Sequence, residues 1–228
     1  MQRRKETAWR KNRKFGDVYG GRRYPKIADR IFNRLHNLAP PGPHDSVPIL
    51  MEENPSRDFY FPLSGEETLE AIRALPEYDY DGITHLWLRR IGSAERRRHP
   101  PLAEYICGSG VHLVVMYPWR TDRQLDLGRH RPTGKRAQLY ERFGARVFRT
   151  KGGWSVEFSE EGLRRFWINL VYYEVGHHVD WYQRHWSKSN RKATRDFADQ
   201  YAVRFGANGD AVLDGISGGP GTGRGDKA

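Results

Sequence analysis

The sequence is poor in cysteine and contains no long apolar run. Cys107 is the one cysteine among 228 residues, which excludes an intramolecular disulfide and a four-thiolate zinc site. No stretch approaches the roughly 18 consecutive apolar residues that cross a bilayer, and the basic N-terminus lacks the apolar segment of a secretory signal. We therefore expect a cytoplasmic protein that does not associate with membranes.

Hydrophobic residues are also scarce, at 37% of the chain, but aromatic residues reach 13%. Disordered chains are depleted in aromatic residues, and 228 residues are enough for one domain of ordinary size. The composition therefore predicts a folded core with polar ends.

The polar ends differ in character. The net charge is +11, and most of the excess lies in a basic N-terminal arm, residues 1–42. Such an arm suits a polyanion, because each cation placed against a phosphate releases counterions, although a solubilising tail has the same composition. The candidate nucleic-acid-binding residues are Arg3, Arg4, Lys5, Arg10, Lys11, Arg13 and Lys14. At the other end, residues 207–228 are rich in glycine and predict a disordered tail.

Between these ends, residues 43–206 alternate strand and helix patterns. Ser64 followed by two glutamates predicts a short helix to about Leu75. The apolar segments 83–88 and 111–117 predict strands, and Lys151-Gly152-Gly153 predicts a hairpin. Two long helices are predicted over 160–186 and 190–205. The fold class expected from this order is α+β.

The first long helix carries the most informative pattern. At 100° per residue, its apolar and aromatic side chains share one face with Glu174 and His177. A carboxylate in such a position is costly unless a metal, a cation or a hydrogen-bond network compensates it. His178 and His185 are interpreted as amphipathic side chains at the edge of the core.

The segment from Tyr173 to Asp180, YEVGHHVD, resembles the HExGHxxD helix of zincin metallopeptidases, and RDFAD at 195–199 resembles the segment that supplies their third zinc ligand. The resemblance covers 83–205 and is to the group that includes the anthrax lethal factor catalytic domain and small phage and bacterial zincins. It implies a zincin-like domain in which a small mixed sheet with an edge hairpin precedes an active-site helix and a second, ligand-bearing helix.

The resemblance also implies roles for individual residues. Glu174 corresponds to the general base and His177 to a zinc ligand. Asp180 corresponds to a residue that orients the ring of His177 without binding the metal itself. Tyr173 stands where the family has its first histidine, and it is the second candidate catalytic residue.

Arg195 stands where the family has glutamate, with Asp199 one turn later. Neutral phenol is a poor zinc ligand and guanidinium is none, so zinc affinity should collapse. We therefore expect no cofactor, or zinc if the site is functional. In place of the metal, a Glu174–Arg195 ion pair is predicted, with the Tyr173 hydroxyl bonded to His177 or nearby; the competing partner for Arg195 is Asp199.

Three functions remain open at this point. The first is a pseudoenzyme that binds an unknown protein or peptide partner, and the second is an active but atypical zinc-dependent peptidase with Glu174 as base. Further donors for such a metal are His178, Asp180, Asp196 and Asp199, with His85 and His112 on predicted strands able to approach. The third is a nucleic-acid-associated protein that acts through its basic arm.

Overall fold

A computed structural model describes residues 38–92, 101–108, 110–184 and 191–218. The strands are β1 (Ile49–Glu52), β2 (Phe59–Tyr60), β3 (His85–Leu88), β4 (Ala103–Gly108), β5 (Val111–Met116), β6 (Trp119–Arg120), β7 (Gln124–Gly128), β8 (Arg146–Thr150) and β9 (Gly153–Glu157). The helices are α1 (Gly65–Arg73), α2 (Glu77–Tyr80), α3 (Lys135–Arg142), α4 (Glu160–Arg184), α5 (Arg191–Arg204) and α6 (Gly206–Gly218). The α+β class predicted from the sequence is confirmed.

The largest sheet has the strand order β1-β3-β5-β4. Strands β1, β3 and β5 are parallel, and β4 is an antiparallel edge strand that forms a hairpin with β5. Every residue of β3 is buried, as is most of β5, which is the burial expected of central strands covered on both faces. The two strands therefore form where the apolar runs 83–88 and 111–117 predicted them.

Helices α1 and α4 cover one face of this sheet. Ser64 caps α1 and forms a capping box with Glu67, so the predicted helix start is confirmed. The buried indole of Trp167 on α4 donates to the hydroxyl of Thr68 on α1 over 3.2 Å. Side chains from both helices and from β3 and β5 then form one continuous core.

The predicted hairpin forms at residues 146–157, but it lies in a separate sheet with the order β7-β9-β8. The edge hairpin of the four-stranded sheet is β4–β5 instead. The second sheet packs on the first part of α4 through an aromatic cluster that includes Trp119, Tyr140, Phe158 and Phe166. Because these rings bind the two sheets to the same helix, α4 is the central element of the fold.

Helix α5 packs closely on α4 at Gly176. A Cβ atom at this glycine would lie 2.9 Å from the Cα of Ala198 and 3.0 Å from the Cβ of Tyr201. The absence of a side chain at Gly176 therefore sets the distance between the two helices. The hydroxyl of Tyr201 donates to the buried carboxylate of Asp79 over 2.7 Å, which ties α5 to α2.

The prediction of a disordered tail from residue 207 is wrong for residues 207–218, which belong to α6. Gly209 faces α4, where a Cβ atom would lie 2.6 Å from Cγ2 of Ile168, and Leu213 is buried in the main core. Glycine lowers helix propensity, but here it permits close helix packing, and the buried apolar surface outweighs the propensity. Residues 219–228 lie outside the described part of the chain.

The single cysteine lies in the edge strand. Cys107 is buried, and its burial raises the pKa of the thiol to about 12. The thiol is therefore un-ionised at neutral pH, and the reactive thiolate form is suppressed.

Candidate functional site

The carboxyl group of Glu174 faces the protein interior, as the helical pattern predicts. The residue is 5% exposed, and burial raises the pKa of its carboxyl group to about 8, with a further rise from the charge of Glu104. A carboxyl group with this pKa is mostly protonated at pH 7. Glu174 is therefore held in the structure chiefly as a neutral acid.

The partner of Glu174 is the main chain of the edge strand. The amide of Tyr105 donates to its carboxyl group, which partly offsets the rise in pKa. Leu102 accepts from the amide of Tyr117, and because antiparallel pairs alternate, the amide of Tyr105 points away from β5 and towards the open side of β4. The position that the resemblance gives to a general base is thus a link between α4 and β4.

The predicted Glu174–Arg195 ion pair is wrong. Arg195 is exposed, and no ion pair joins it to Glu174 in the described part of the chain. The reason is geometric: α5 contacts α4 on the side of Gly176, and two residues correspond to about 200° around a helix, so Glu174 points away from α5. The cost of burying the carboxyl group of Glu174 is instead reduced by the hydrogen bond from the Tyr105 amide and by protonation of the carboxyl group.

Arg195 instead lies near Tyr173 and His177. Its charge lowers the pKa of His177 and opposes the rise in the pKa of Tyr173. Burial raises the pKa of Asp199, and the charge of Arg195 opposes this rise. The charge of Arg195 on α5 therefore acts on both Tyr173 and His177 on α4. These three residues stand at the positions that the resemblance gives to the three zinc ligands, and we call them the 173–177–195 cluster.

Tyr173 and His177 contact each other through their rings. The centroids are 4.7 Å apart at an interplanar angle of 87°, so the contact is edge to face rather than the predicted hydrogen bond. Burial, reinforced by Arg195, lowers the pKa of His177 to about 4 against the opposing charge of Asp180. Asp180 is 1% exposed, and its role in orienting His177 stays a prediction.

The donor set of this cluster does not fit zinc. Burial raises the pKa of the Tyr173 phenol to about 12, so the neutral phenol is a weak ligand at pH 7, and guanidinium has no lone pair to offer. Of the three side chains of the cluster, the imidazole of His177 is then the one good zinc ligand. Nor do any three His, Cys, Asp or Glu side chains elsewhere in the described residues form a group arranged for a metal ion.

A second polar cluster lies beside Glu174 and was not recognised from the sequence. The hydroxyl of Tyr105 lies 2.7 Å from Nδ1 of His112 and 3.0 Å from Nδ1 of His178. Nε2 of His178 lies 3.0 Å from the carbonyl oxygen of Asp81. We call Tyr105, His112 and His178 the Tyr105 cluster.

The proton positions in the Tyr105 cluster follow from its partners. A carbonyl oxygen only accepts, so His178 carries its proton on Nε2. Burial lowers the pKa of His178 to about 4, so the ring is neutral and its Nδ1 accepts from the Tyr105 hydroxyl. That hydroxyl has one hydrogen, and it must therefore accept from a protonated Nδ1 of His112.

The placement of His178 corrects its interpretation as a side chain at the core edge, because it is 1% exposed. His112 does approach α4, since its ring centroid is 5.4 Å from that of His178 and 5.0 Å from that of Trp181, but its role as a metal donor stays a prediction. His85 is held elsewhere by Thr84 over 2.8 Å. The cluster was missed because Tyr105 lies on β4, for which the sequence pattern predicts no strand.

The remaining predicted residues do not join either cluster. Asp196 forms an ion pair with Lys135 over 3.1 Å on the surface. His185 and residues 1–37 of the N-terminal arm, which include the seven candidate nucleic-acid-binding residues, lie outside the described residues. Nucleic-acid binding by the arm stays a prediction.

Comparison with protein-family models, with curated proteins and with solved structures found no match for this chain. Within the described residues, no helix is both long enough and apolar enough to span a membrane.

Proposed function

We propose that this chain is a zincin-like protein that has lost its metal ligands and acts as a binding module for a protein or peptide partner. The observation that carries the proposal is the 173–177–195 cluster. Tyr173 and His177 lie one turn apart on α4 with their rings in contact, and the charge of Arg195 on α5 acts on both. The resemblance assigns these three positions to zinc ligands, although two of them no longer hold ligating side chains. Because residues four apart meet on any helix, the effect of Arg195 on this pair is the part of the arrangement that supports the resemblance.

The order of elements supports the same scaffold. A mixed sheet with the antiparallel edge strand β4 precedes the long helix α4, and α5 packs back against α4 at Gly176. This is the order that the resemblance implies. The helix contact at Gly176 keeps α5 close enough for its side chains to reach the cluster.

The state of Glu174 argues against peptidase activity. A general base needs a carboxylate that reaches a water molecule, whereas this carboxyl group is buried and accepts from the Tyr105 amide. The 173–177–195 cluster offers a half-buried phenol, a neutral imidazole and an exposed guanidinium. Such side chains suit hydrogen bonding to a polar partner.

Restoring the ligands tests both parts of the proposal. In the double variant Tyr173→His, Arg195→Glu, His177 regains two ligating neighbours, so we expect about one zinc ion per chain by elemental analysis after purification without chelator. The wild-type protein is expected to retain no zinc and to hydrolyse no peptide.

The matched control is Tyr173→His with Lys192→Glu. This variant changes charge by the same amount at an exposed position of α5, and it should not gain zinc. Absence of zinc from a folded Tyr173→His, Arg195→Glu variant would refute the zincin-like scaffold. Stoichiometric zinc in the wild-type protein, with peptide hydrolysis lost in Glu174→Gln, would instead support the active peptidase.

A further inference from the structure

A small pocket lies where α3, α4 and α6 meet, and no residue of the 173–177–195 cluster or the Tyr105 cluster lines it. Its volume is about 70 Å³, enough for a few water molecules or one group of about five heavy atoms. The polar residues that line it are Arg142, Arg165, Asn169, Tyr172, Gly206 and Asp210.

The hydroxyl of Tyr172 is the first indication of a ligand. The side chain is fully buried, and its hydroxyl has no hydrogen-bond partner among the described residues. Cε2 of the ring lies 3.4 Å from the Cβ position of Gly209, and the charge of Asp210 adds to the raised pKa of the hydroxyl. Tyr172 lines the pocket, and its un-ionised hydroxyl is a donor without an acceptor among the described residues.

The second indication is positive charge at the opposite wall. The guanidinium of Arg142 lies so close to Gly206 that a Cβ atom there would be 2.6 Å from its Nη2. It stacks near the ring of Phe143 at 5.3 Å, and no carboxylate pairs with it in the described part of the chain. Arg142 is thus an exposed cation at the rim of the pocket, with no counter-ion among the described residues.

The start of α6 adds to this charge. Gly206 is the first residue of α6, and the helix has no acidic residue in its first turn. Phe205 precedes it and has no side-chain oxygen to cap the helix, and its carbonyl oxygen accepts from the amides of Asn208 and Gly209. The amides left for an anion are those of Gly206 and Ala207. The first amides of a helix carry a partial positive charge and favour an anion.

The residues that line the pocket carry a net positive charge, since Arg142 and Arg165 contribute two positive charges and Asp210 contributes one negative charge. Asp210 lies 3.7 Å from Nε of Arg165, whose Nη2 is 2.8 Å from Glu161. Arg165 therefore lies between two carboxylates, whereas Arg142 has no carboxylate partner among the described residues.

We propose that this pocket binds a tetrahedral oxyanion, either inorganic phosphate or the phosphate end of a small phosphomonoester. Arg142 and the first amides of α6 would hold the anion from one side, and the Tyr172 hydroxyl would donate from the other. A side chain at position 206 would shift the guanidinium of Arg142 from its present position. The proposal does not depend on the zincin-like scaffold.

The test is calorimetric titration of the full chain with inorganic phosphate at constant ionic strength. We expect saturable one-site binding. Arg142→Gln should weaken it about tenfold or more, because a hydrogen bond to a charged group contributes about 1.5–3 kcal/mol. Tyr172→Phe should weaken it about threefold to tenfold. Asp210→Asn should tighten it.

The matched control is Arg149→Gln, which removes the same charge at an exposed position of β8 away from the pocket and should leave the affinity unchanged. Titration with methyl phosphate separates the two sources of the anion: tighter binding than phosphate indicates a phosphomonoester, and weaker binding indicates the free ion. Absence of saturable binding by the wild-type protein, or an equal loss in Arg149→Gln and Arg142→Gln, would overturn the proposal.

Discussion

Replacement of Glu174 by glutamine should stabilise the protein, and increasingly so as the pH rises. Glutamine has nearly the same shape and keeps an oxygen for the Tyr105 amide, but it cannot ionise. The pKa of Glu174 is about 8 in the fold against an ordinary value of 4.5. The folded state therefore binds more protons than the unfolded state between these two values.

The sign and size follow from linkage. Because Glu174 retains its proton in the native state, its contribution to the wild-type free energy of unfolding falls as the pH rises from about 4.5 to about 8. Above about pH 8 this contribution is constant. One pKa unit corresponds to about 1.4 kcal/mol. A pKa of about 8 in place of 4.5 therefore lowers the free energy of unfolding by about 5 kcal/mol at most, and we call this loss the penalty. At pH 7 the penalty is about 3 kcal/mol.

Urea denaturation of both proteins at pH 5, 7 and 9 measures this difference. Histidine titrations are common to the two proteins and cancel in the comparison. Glu161→Gln is the matched control, since Glu161 lies on the same helix with its side chain 74% exposed and its replacement should show no comparable dependence on pH. A stability difference between wild type and Glu174→Gln that stays the same from pH 5 to pH 9 would refute the account of a buried neutral acid.

Two further predictions concern packing and the Tyr105 cluster. Gly176→Ala should lower the free energy of unfolding by about 1–3 kcal/mol, because the added methyl group meets α5; Gly215→Ala, where a Cβ atom meets nothing within 4 Å, should be neutral or stabilising in the same denaturation assay. An equal effect of the two substitutions would contradict the close helix contact. Tyr105→Phe leaves two imidazole nitrogens without their partner and should cost about 1–3 kcal/mol, with altered ring-nitrogen chemical shifts for His112 and His178 in NMR spectra. Unchanged ring-nitrogen shifts would rule out the shared hydroxyl.

Local patterns were sufficient to predict much of the fold. Three features depend on residues that lie within a few positions of each other: the cap at Ser64, the hairpin at Gly152 and the buried side of α4. The interactions that stabilise them can therefore be inferred from the sequence. Glu174 was recognised as buried for this reason.

The partners of the buried groups were not predictable in the same way. Glu174 bonds to Tyr105, and His178 to Tyr105 and Asp81, across 69 to 97 positions of the chain. Such contacts depend on the register of β4 against β5, which no single segment encodes. The Gly-rich segment of α6 was misjudged because its stability comes from the surface of α4 rather than from its own propensity.

The buried thiol of Cys107 gives this chain a built-in reporter of local opening. Since it is the sole cysteine of the chain and is shielded within β4, an alkylating reagent can modify the native protein only when this strand separates from its surroundings. The rate of alkylation therefore measures how often the edge of the sheet opens, without any engineered label. The same strand supplies the Tyr105 amide to Glu174, so the labelling rate also reports how firmly that link holds at each pH.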